Sequence, residues 1–265
     1  MVRTASAAGL DVVALTDHDT TAGWAAAAEA RPAGLRLVRG AELSCISPDG
    51  RGNHIPIHLL AYLFDPAHPA IVAEQGRLRI ERRQRLARMA GRMAEDGFPI
   101  DPVTFLGSLP FELPAGRPHL ARALVAHGVV GSVNEAFAKL LHNDGPYYVP
   151  RADTPVGTAL EMIRAAGGVC VFAHPLARRR GRVVEMSVIA DLADAGLAGV
   201  ETEHPNHEPA DRVALRGLAH ELGLVTTGSS DYHGLNKSTS IGAERTEPEM
   251  FERLTALATA TEVLG

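Results

Sequence analysis

The sequence has few of the features that mark secreted, membrane-spanning or nucleic-acid-coating proteins. Its 265 residues include only two cysteines, Cys45 and Cys170, too few for a disulfide framework and suited to a reducing compartment. No apolar run approaches the roughly 20 residues that cross a bilayer, and the first residues lack the apolar stretch of a signal peptide. The net charge of −5 excludes nucleic-acid binding through overall charge. These absences favour a cytoplasmic globular protein.

Short apolar runs alternate with helical patterns at both ends of the chain. After an opening helix at 2–8, buried strands are predicted at 11–16, 35–38, 57–63, 169–173, 199–202 and 224–227. Helices are predicted near 155–166, 184–195 and 210–222, between or before the last three strands. This alternation predicts an α/β fold with a parallel sheet, either open or closed into a barrel.

The middle of the chain has a different pattern. Helices are predicted near 71–95, 118–127 and 133–141, separated by Gly/Pro turns. We therefore predict a barrel domain made of residues 1–64 and 151–265, with residues 65–150 as a helical insertion. The first of these helices combines an apolar stripe with many arginines, which we expect to form a solvated face.

Histidines and acidic residues lie where several predicted strands end. The candidates for a shared site are His18, Glu42, His58, His174, Asp231 and His233. Five of them follow a strand, whereas His58 lies within one. Because barrel enzymes carry their chemistry at the carboxyl ends of the strands, these side chains are predicted to converge. Imidazole and carboxylate together suit Zn, Mn or Fe.

Each candidate also has a structural alternative. His58, flanked by Ile57 and Leu59, would by itself more often be a satisfied core residue. The segment around His174 would by itself be a turn, and the one around Asp231 a helix-capping loop. Their positions on successive strand–helix junctions favour the shared metal site.

Five short motifs together indicate a family. They are Thr16-Asp17-His18-Asp19-Thr20, Gly40-Ala41-Glu42, Arg117-Pro118-His119, Ala173-His174-Pro175 and Gly228-Ser229-Ser230-Asp231-Tyr232-His233-Gly234. In this order they resemble the signatures of PHP (polymerase and histidinol phosphatase) domain phosphoesterases. The resemblance covers essentially the whole chain and is strongest to the bacterial enzymes that act on 3′,5′-nucleoside bisphosphates and on the 5′ ends of short RNAs.

The resemblance implies a fold and a set of ligands. The fold is a distorted seven-stranded (β/α) TIM-like barrel that holds two or three divalent metal ions. By resemblance, Glu42 would bridge two ions, His58 and His174 would complete the second site, Asp231 would bind the first ion, and His18 and His233 would serve the third. Arg117 and His119 match a phosphate-contacting pair in the insertion. The alternative for Arg117 is that it only begins a helix and points to solvent.

One departure from the family pattern concerns the first metal site. The family opens with a strand bearing Asp-Leu-His-x-His and then Ser-Asp-Gly, and this sequence has neither. We therefore expect the first strand to be absent and the first metal site to be incompletely liganded. Because Met1 falls within a predicted helix, a start codon placed too far downstream is favoured over a natural shortening.

These features favour hydrolysis of a phosphate ester on a nucleotide or a short RNA end, with no membrane and no specific protein partner. The alternatives are another phosphomonoesterase, such as one acting on histidinol phosphate, and a non-catalytic remnant that binds metal or phosphate. The arginines at 178, 179, 180 and 182 are expected either to overhang the site and contact phosphate or to be solvated. His207 is a weaker candidate for the rim of the site.

Overall fold

A computed structural model describes residues 1–111, 115–234 and 239–265. It divides the chain into two compact units, one made of Met1–Val72 and Asp153–Gly265 and the other of Ala73–Ala152. The helices are α1 Val2–Ala7, α2 Trp24–Glu29, α3 Pro69–Glu95, α4 Pro102–Gly107, α5 Arg117–Ala126, α6 Val133–Lys139, α7 Val156–Ala165, α8 Met186–Asp194, α9 Pro209–Glu221 and α10 Pro248–Ala256, with a 3₁₀ turn at Arg178–Arg180. In the described ranges, no helix is both long and apolar enough to cross a bilayer.

The strands of the first unit form one mixed sheet. They are β1 Val12–His18, β2 Arg36–Pro48, β3 His54–Tyr62, β4 Thr154–Pro155, β5 Val169–Phe172, β6 Gly199–Glu203 and β7 Val225–Gly228. Their order is β1-β2-β3-β5-β6-β7, and β4 pairs with β2. The predicted α/β class is confirmed at this level, as a mixed α/β fold with helices packed on the sheet.

The prediction of an entirely parallel sheet is wrong at β3. This strand runs antiparallel to both β2 and β5, whereas the β1–β2, β5–β6 and β6–β7 pairs are parallel. Only residues 49–53 separate β2 from β3. A parallel crossover needs a dozen or more residues, so this connection can only make a hairpin.

Strand β2 is also much longer than predicted, so Glu42 lies inside a strand instead of following one. It pairs with Leu60 across the hairpin, while Ala41 and Leu43 on either side of it are buried in the hydrophobic core. Because successive side chains of a strand point to opposite faces, Glu42 points away from that core. The same alternation applies to His58, whose neighbours Ile57 and Leu59 belong to the core.

The second unit is helical and has its own core. The predicted apolar stripe of α3 is buried, at Leu78, Leu86, Met89 and Met93. The predicted solvated arginine face is wrong for Arg85, which is buried and donates a hydrogen bond to the backbone carbonyl of Val149. A buried guanidinium needs acceptors, and here a loop carbonyl that follows α6 provides one.

Candidate metal centre

The hairpin places Glu42 and His58 on the same face of the sheet. Leu60 lies directly opposite Glu42, and His58 is two residues before Leu60 on the same strand. Diagonal neighbours of this kind are within reach of long side chains. His18 ends β1 beside Glu42 in the parallel register, and His174 follows β5, which pairs with β3. Three neighbouring strands and one loop therefore supply the first four predicted ligands.

The three histidine side chains converge on the Glu42 carboxylate. One oxygen, Oε1, lies 2.6 Å from Nδ1 of His58 and 3.2 Å from Nε2 of His174. The other, Oε2, lies 3.6 Å from Nδ1 of His18. Ligand atoms of His18, Glu42 and His58 all lie within 4.8 Å of one another. A buried carboxylate among imidazoles has the donor chemistry of zinc and related divalent ions, so the residues present fit such an ion.

The electrostatics of the group keep Glu42 charged. Burial acts to raise the pKa of its carboxyl, but hydrogen bonds from His174 and His58 and the charges of His58 and His18 outweigh burial and hold that pKa well below its ordinary value. Burial is also the main cause that lowers the pKa of His174. The group therefore offers one fixed negative charge at Glu42 and, at His174, an imidazole whose neutral form is favoured, the states in which these side chains ligate metals.

Asp231 and His233 extend the group beyond β7. The Asp231 carboxylate lies 3.2 Å from Nδ1 of His233, and the rings of His233 and His18 are 5.9 Å apart. The structure thus brings all six sequence-predicted metal ligands to one face of the first unit. Their role in binding metal remains a prediction.

Curated relatives of the chain are phosphate-ester hydrolases. Its sequence is 31% identical to a 5′-3′ exoribonuclease of Haemophilus influenzae, over 88% of this chain and 83% of that protein. It is 32% identical to a 3′,5′-nucleoside bisphosphate phosphatase of Chromobacterium violaceum, over 84% and 76% of the two chains. The chain belongs to the PHP-type phosphoesterase family.

Further comparisons give a third phosphate-ester hydrolase and two solved structures. The sequence is 30% identical to a phosphoribosyl 1,2-cyclic phosphate 1,2-diphosphodiesterase of Eggerthella lenta, over 85% of this chain and 84% of that one. A structure from Bifidobacterium adolescentis, classed as a metal-dependent phosphoesterase, superposes with a TM-score of 0.85 at 31% identity, over 97% of this chain and 90% of that one. An amidohydrolase from Chromobacterium violaceum, solved with sulfate and without metal, gives a TM-score of 0.75 at 28% identity, over the same shares. No protein-family model matches the sequence.

Two further residues lie beside this group, Glu201 inside β6 and His204 directly after it, and neither was predicted from the sequence. Glu201 is buried, and its carboxylate accepts a hydrogen bond of 2.7 Å from the backbone N–H of His174. Burial, reinforced by the charges of Glu42 and Asp231, raises the pKa of Glu201 to about 8, against hydrogen bonds that lower it. The available signal was the position of His204 directly after β6, whereas Glu201 lies inside that strand.

His204 is fully buried beside the same group. Its ring contacts that of His174 at 5.1 Å, and its Nε2 lies 3.9 Å from the Asp231 carboxylate. Nδ1 accepts a hydrogen bond from the backbone N–H of Asn206, so the proton of the neutral ring is on Nε2 and faces Asp231. Burial lowers the pKa of His204 to about 4.

His207 does not lie at the rim of the site, as predicted, but inside the protein. It is 4% exposed. Its Nδ1–H donates to the carbonyl of Thr202, and its Nε2 accepts from the N–H of Leu176. With both nitrogens satisfied, His207 holds the loop after β5 against β6.

The arginines after His174 divide into two groups. Arg178 and Arg179 form ion pairs with Asp211 and Glu208, near the start of α9. Arg180 instead pairs with Asp231 and also donates a 2.8 Å hydrogen bond to Oδ1 of Asn206. Of these three, only Arg180 brings a positive charge to the ligand group.

Arg117 and His119 lie at the start of α5 in the second unit. Arg117 begins the helix as the alternative predicted, but its guanidinium is half-buried and donates to the carbonyl of Leu141 and to Asn143. Burial lowers the pKa of both side chains. His119 accepts a hydrogen bond at Nδ1 from the N–H of Gly116. Phosphate contact by this pair remains a prediction.

Proposed function

We propose that this protein hydrolyses phosphate esters of nucleotides or of short RNA ends, with divalent metal ions held at the Glu42 group. The observation that supports this most directly is the convergence of three imidazoles on one buried carboxylate, in a chain of the PHP-type family. The curated relatives are named for nucleotide, RNA and cyclic-phosphate substrates, all of them phosphate esters.

In this proposal Glu42 supplies the negative charge shared by two ions, and His58 and His174 supply nitrogen ligands to one of them. Asp231 would bind the first ion, and His18 and His233 would serve the third, for two or three ions of Zn, Mn or Fe. Bound ions of this kind activate water and neutralise the charge on the phosphoryl oxygens. The protein then has to bind the phosphate and to keep the ligands in place.

Arginine is the natural partner for that phosphate. The Arg180 guanidinium already lies beside Asp231, and it can donate charge-assisted hydrogen bonds to phosphoryl oxygens. We assign Arg117 and His119 of the helical insertion, residues 65–150, to a second phosphate of the substrate. That assignment is supported by the Arg-Pro-His motif and by the fixed, half-buried guanidinium of Arg117.

The finer fold is also part of the proposal. We infer that the mixed sheet is the distorted barrel of PHP-type enzymes, which is supported by the TM-score of 0.85 with the structure from Bifidobacterium adolescentis. A cytoplasmic location is supported by Cys45 and Cys170, which are both free thiols.

The test of the function combines metal analysis with substrate choice. The chelated protein is reloaded with Zn²⁺, Mn²⁺ or Fe²⁺ and assayed on a nucleoside 3′,5′-bisphosphate, a 5′-phosphorylated short RNA, a ribose cyclic phosphate and histidinol phosphate. We expect metal-dependent release of phosphate or nucleotide, fastest on the bisphosphate or the RNA.

Two histidines of β3 provide a matched pair for this assay. His58→Ala should abolish both metal uptake at the Glu42 group and activity, whereas His54→Ala, at the exposed start of the same strand, should change neither. Metal binding without hydrolysis of any of the four substrates would contradict the catalytic proposal. Wild-type metal uptake by His58→Ala would contradict the ligand assignment.

A further inference from the structure

Two of the predicted metal ligands have a strained backbone. His174 and Asp231 have φ angles of +33° and +50°, in the left-handed region that side chains other than glycine rarely adopt. Each such residue costs on the order of 1–3 kcal/mol and persists only where its surroundings hold it in place. Whatever holds these two backbones therefore also sets the direction of their ligating side chains.

A single carboxyl group is connected to both of them, directly to His174 and through Ser229 to Asp231. Glu201 accepts directly from the backbone N–H of His174 at 2.7 Å. It also accepts from the hydroxyl of Ser229, whose Oγ in turn accepts from the backbone N–H of Asp231 at 3.1 Å. The loop after β5 and the loop after β7 are thus both connected to one side chain of β6, the strand between them.

Burial argues against a purely space-filling role for Glu201. The residue is only 2% exposed, while its strand neighbour Val200 is equally buried and apolar. Burying a carboxylate costs several kcal/mol unless hydrogen bonds compensate for the lost water. The donors that Glu201 receives, from His174 and Ser229, belong to the two ligand-bearing loops.

We propose that Glu201 is a positioning residue, whose carboxyl group holds His174 and, through Ser229, Asp231 in the backbone conformations that direct their side chains to the metal. The proposal rests on the metal-binding function proposed above. Glu201 itself contacts no substrate in it and is not a catalytic residue.

The test compares zinc affinity and stability in three variants. Removing groups that orient metal ligands typically weakens metal binding about 10- to 100-fold, and we expect that loss for Glu201→Ala. Glu201→Gln should restore most of the affinity, because its amide oxygen can accept from His174 while its NH₂ donates to Ser229 Oγ. Val200→Ala, a truncation of similar depth on the same strand, should lower stability and leave zinc affinity at the wild-type value.

Affinity is measured by competition with a chromophoric chelator, and stability by urea unfolding of the metal-free protein. Should Glu201→Ala fail to fold, Ser229→Ala provides the test, because it cuts only the connection to Asp231. It should weaken zinc binding by less than the Glu201→Ala range while the protein stays folded.

The outcomes separate this inference from the function it rests on. A wild-type protein that binds neither zinc nor manganese nor iron contradicts the proposed function; if it binds one of the other two ions, the variants are compared on that ion. A wild-type protein that binds zinc, with unchanged affinity in Glu201→Ala or in Ser229→Ala, overturns the positioning role alone. Equal loss in Glu201→Gln and Glu201→Ala also overturns it, because the carboxylate itself would then be needed as a ligand or proton carrier.

Discussion

Arg180 offers the sharpest single test of the site, because it is expected to act on metal and on substrate in opposite directions. Its guanidinium is ion-paired with Asp231, and the two side chains are 34% and 10% exposed. The arginine therefore competes with a cation for the same carboxylate. It also supplies a positive charge beside the position proposed for the phosphate.

The exposure of the ion pair sets the expected gain in metal affinity, and the general cost of losing a phosphate contact sets the expected loss of kcat/KM. Exposed ion pairs are worth about 0.2–1 kcal/mol, and this partly buried pair lies near the upper end. Its removal in Arg180→Ala should therefore tighten metal binding at Asp231 by about 1 kcal/mol, or roughly fivefold. Loss of a charge-assisted contact to phosphate costs roughly 1.5–3 kcal/mol, so kcat/KM should fall about 10- to 150-fold.

Arg179→Ala is the matched control. Arg179 belongs to the same 3₁₀ turn, but it is 77% exposed and pairs with Glu208 instead of Asp231. Zinc affinity is measured by chelator competition, and kcat/KM from initial rates of phosphate release. Arg179→Ala should match the wild type in both. Identical behaviour of the two variants, or weaker zinc binding in Arg180→Ala, would refute the role assigned to Arg180.

Three more predictions concern other parts of the site. Arg117→Ala should lower kcat/KM for a nucleoside 3′,5′-bisphosphate by roughly 10- to 150-fold and far less for a monophosphate. The control Arg122→Ala, at an exposed position of the same helix, should change neither value. Equal losses on both substrates would contradict a second-phosphate role. Because burial lowers the pKa of His204 from 6.5 to about 4, the unfolded metal-free chain takes up a proton between these values that the folded chain does not. Stability should thus be retained above about pH 6.5 and fall as the pH drops toward 4. The urea midpoint should fall less from pH 7 to pH 5 in His204→Gln than in the wild type. In the control His220→Gln, at an exposed position, it should fall as much as in the wild type. Glu42→Gln should abolish zinc uptake by removing the buried charge, and wild-type metal content in that variant would exclude Glu42 as the central ligand.

The sequence by itself determined the family and most of the ligand group. Strands read from short apolar runs appear in the structure within a few residues at β1, β5, β6 and β7. The polar residues that end them, His18, His174, Asp231 and His233, could be named because side chains at strand ends lie next to one another in a sheet. Five motifs in order indicate the PHP-type family without reference to the fold.

Only the tertiary structure decided how Glu42 and His58 come together. Both lie inside strands, where the local sequence pattern does not distinguish a metal ligand from a buried residue of the core. The antiparallel hairpin of β2 and β3 sets their register, and the alternation of side chains then points both away from the core cluster that contains Ala41 and Leu59.

The supporting residues were likewise decided by the fold. Glu201 and His204 belong to no motif used to identify the family, and their importance follows from burial and from contacts with residues far along the chain, such as His174 and Asp231. A carboxylate that reads from sequence as an ordinary strand residue becomes, once desolvated, a group that must find hydrogen-bond donors. Which donors it finds depends on loops that only the folded chain brings together.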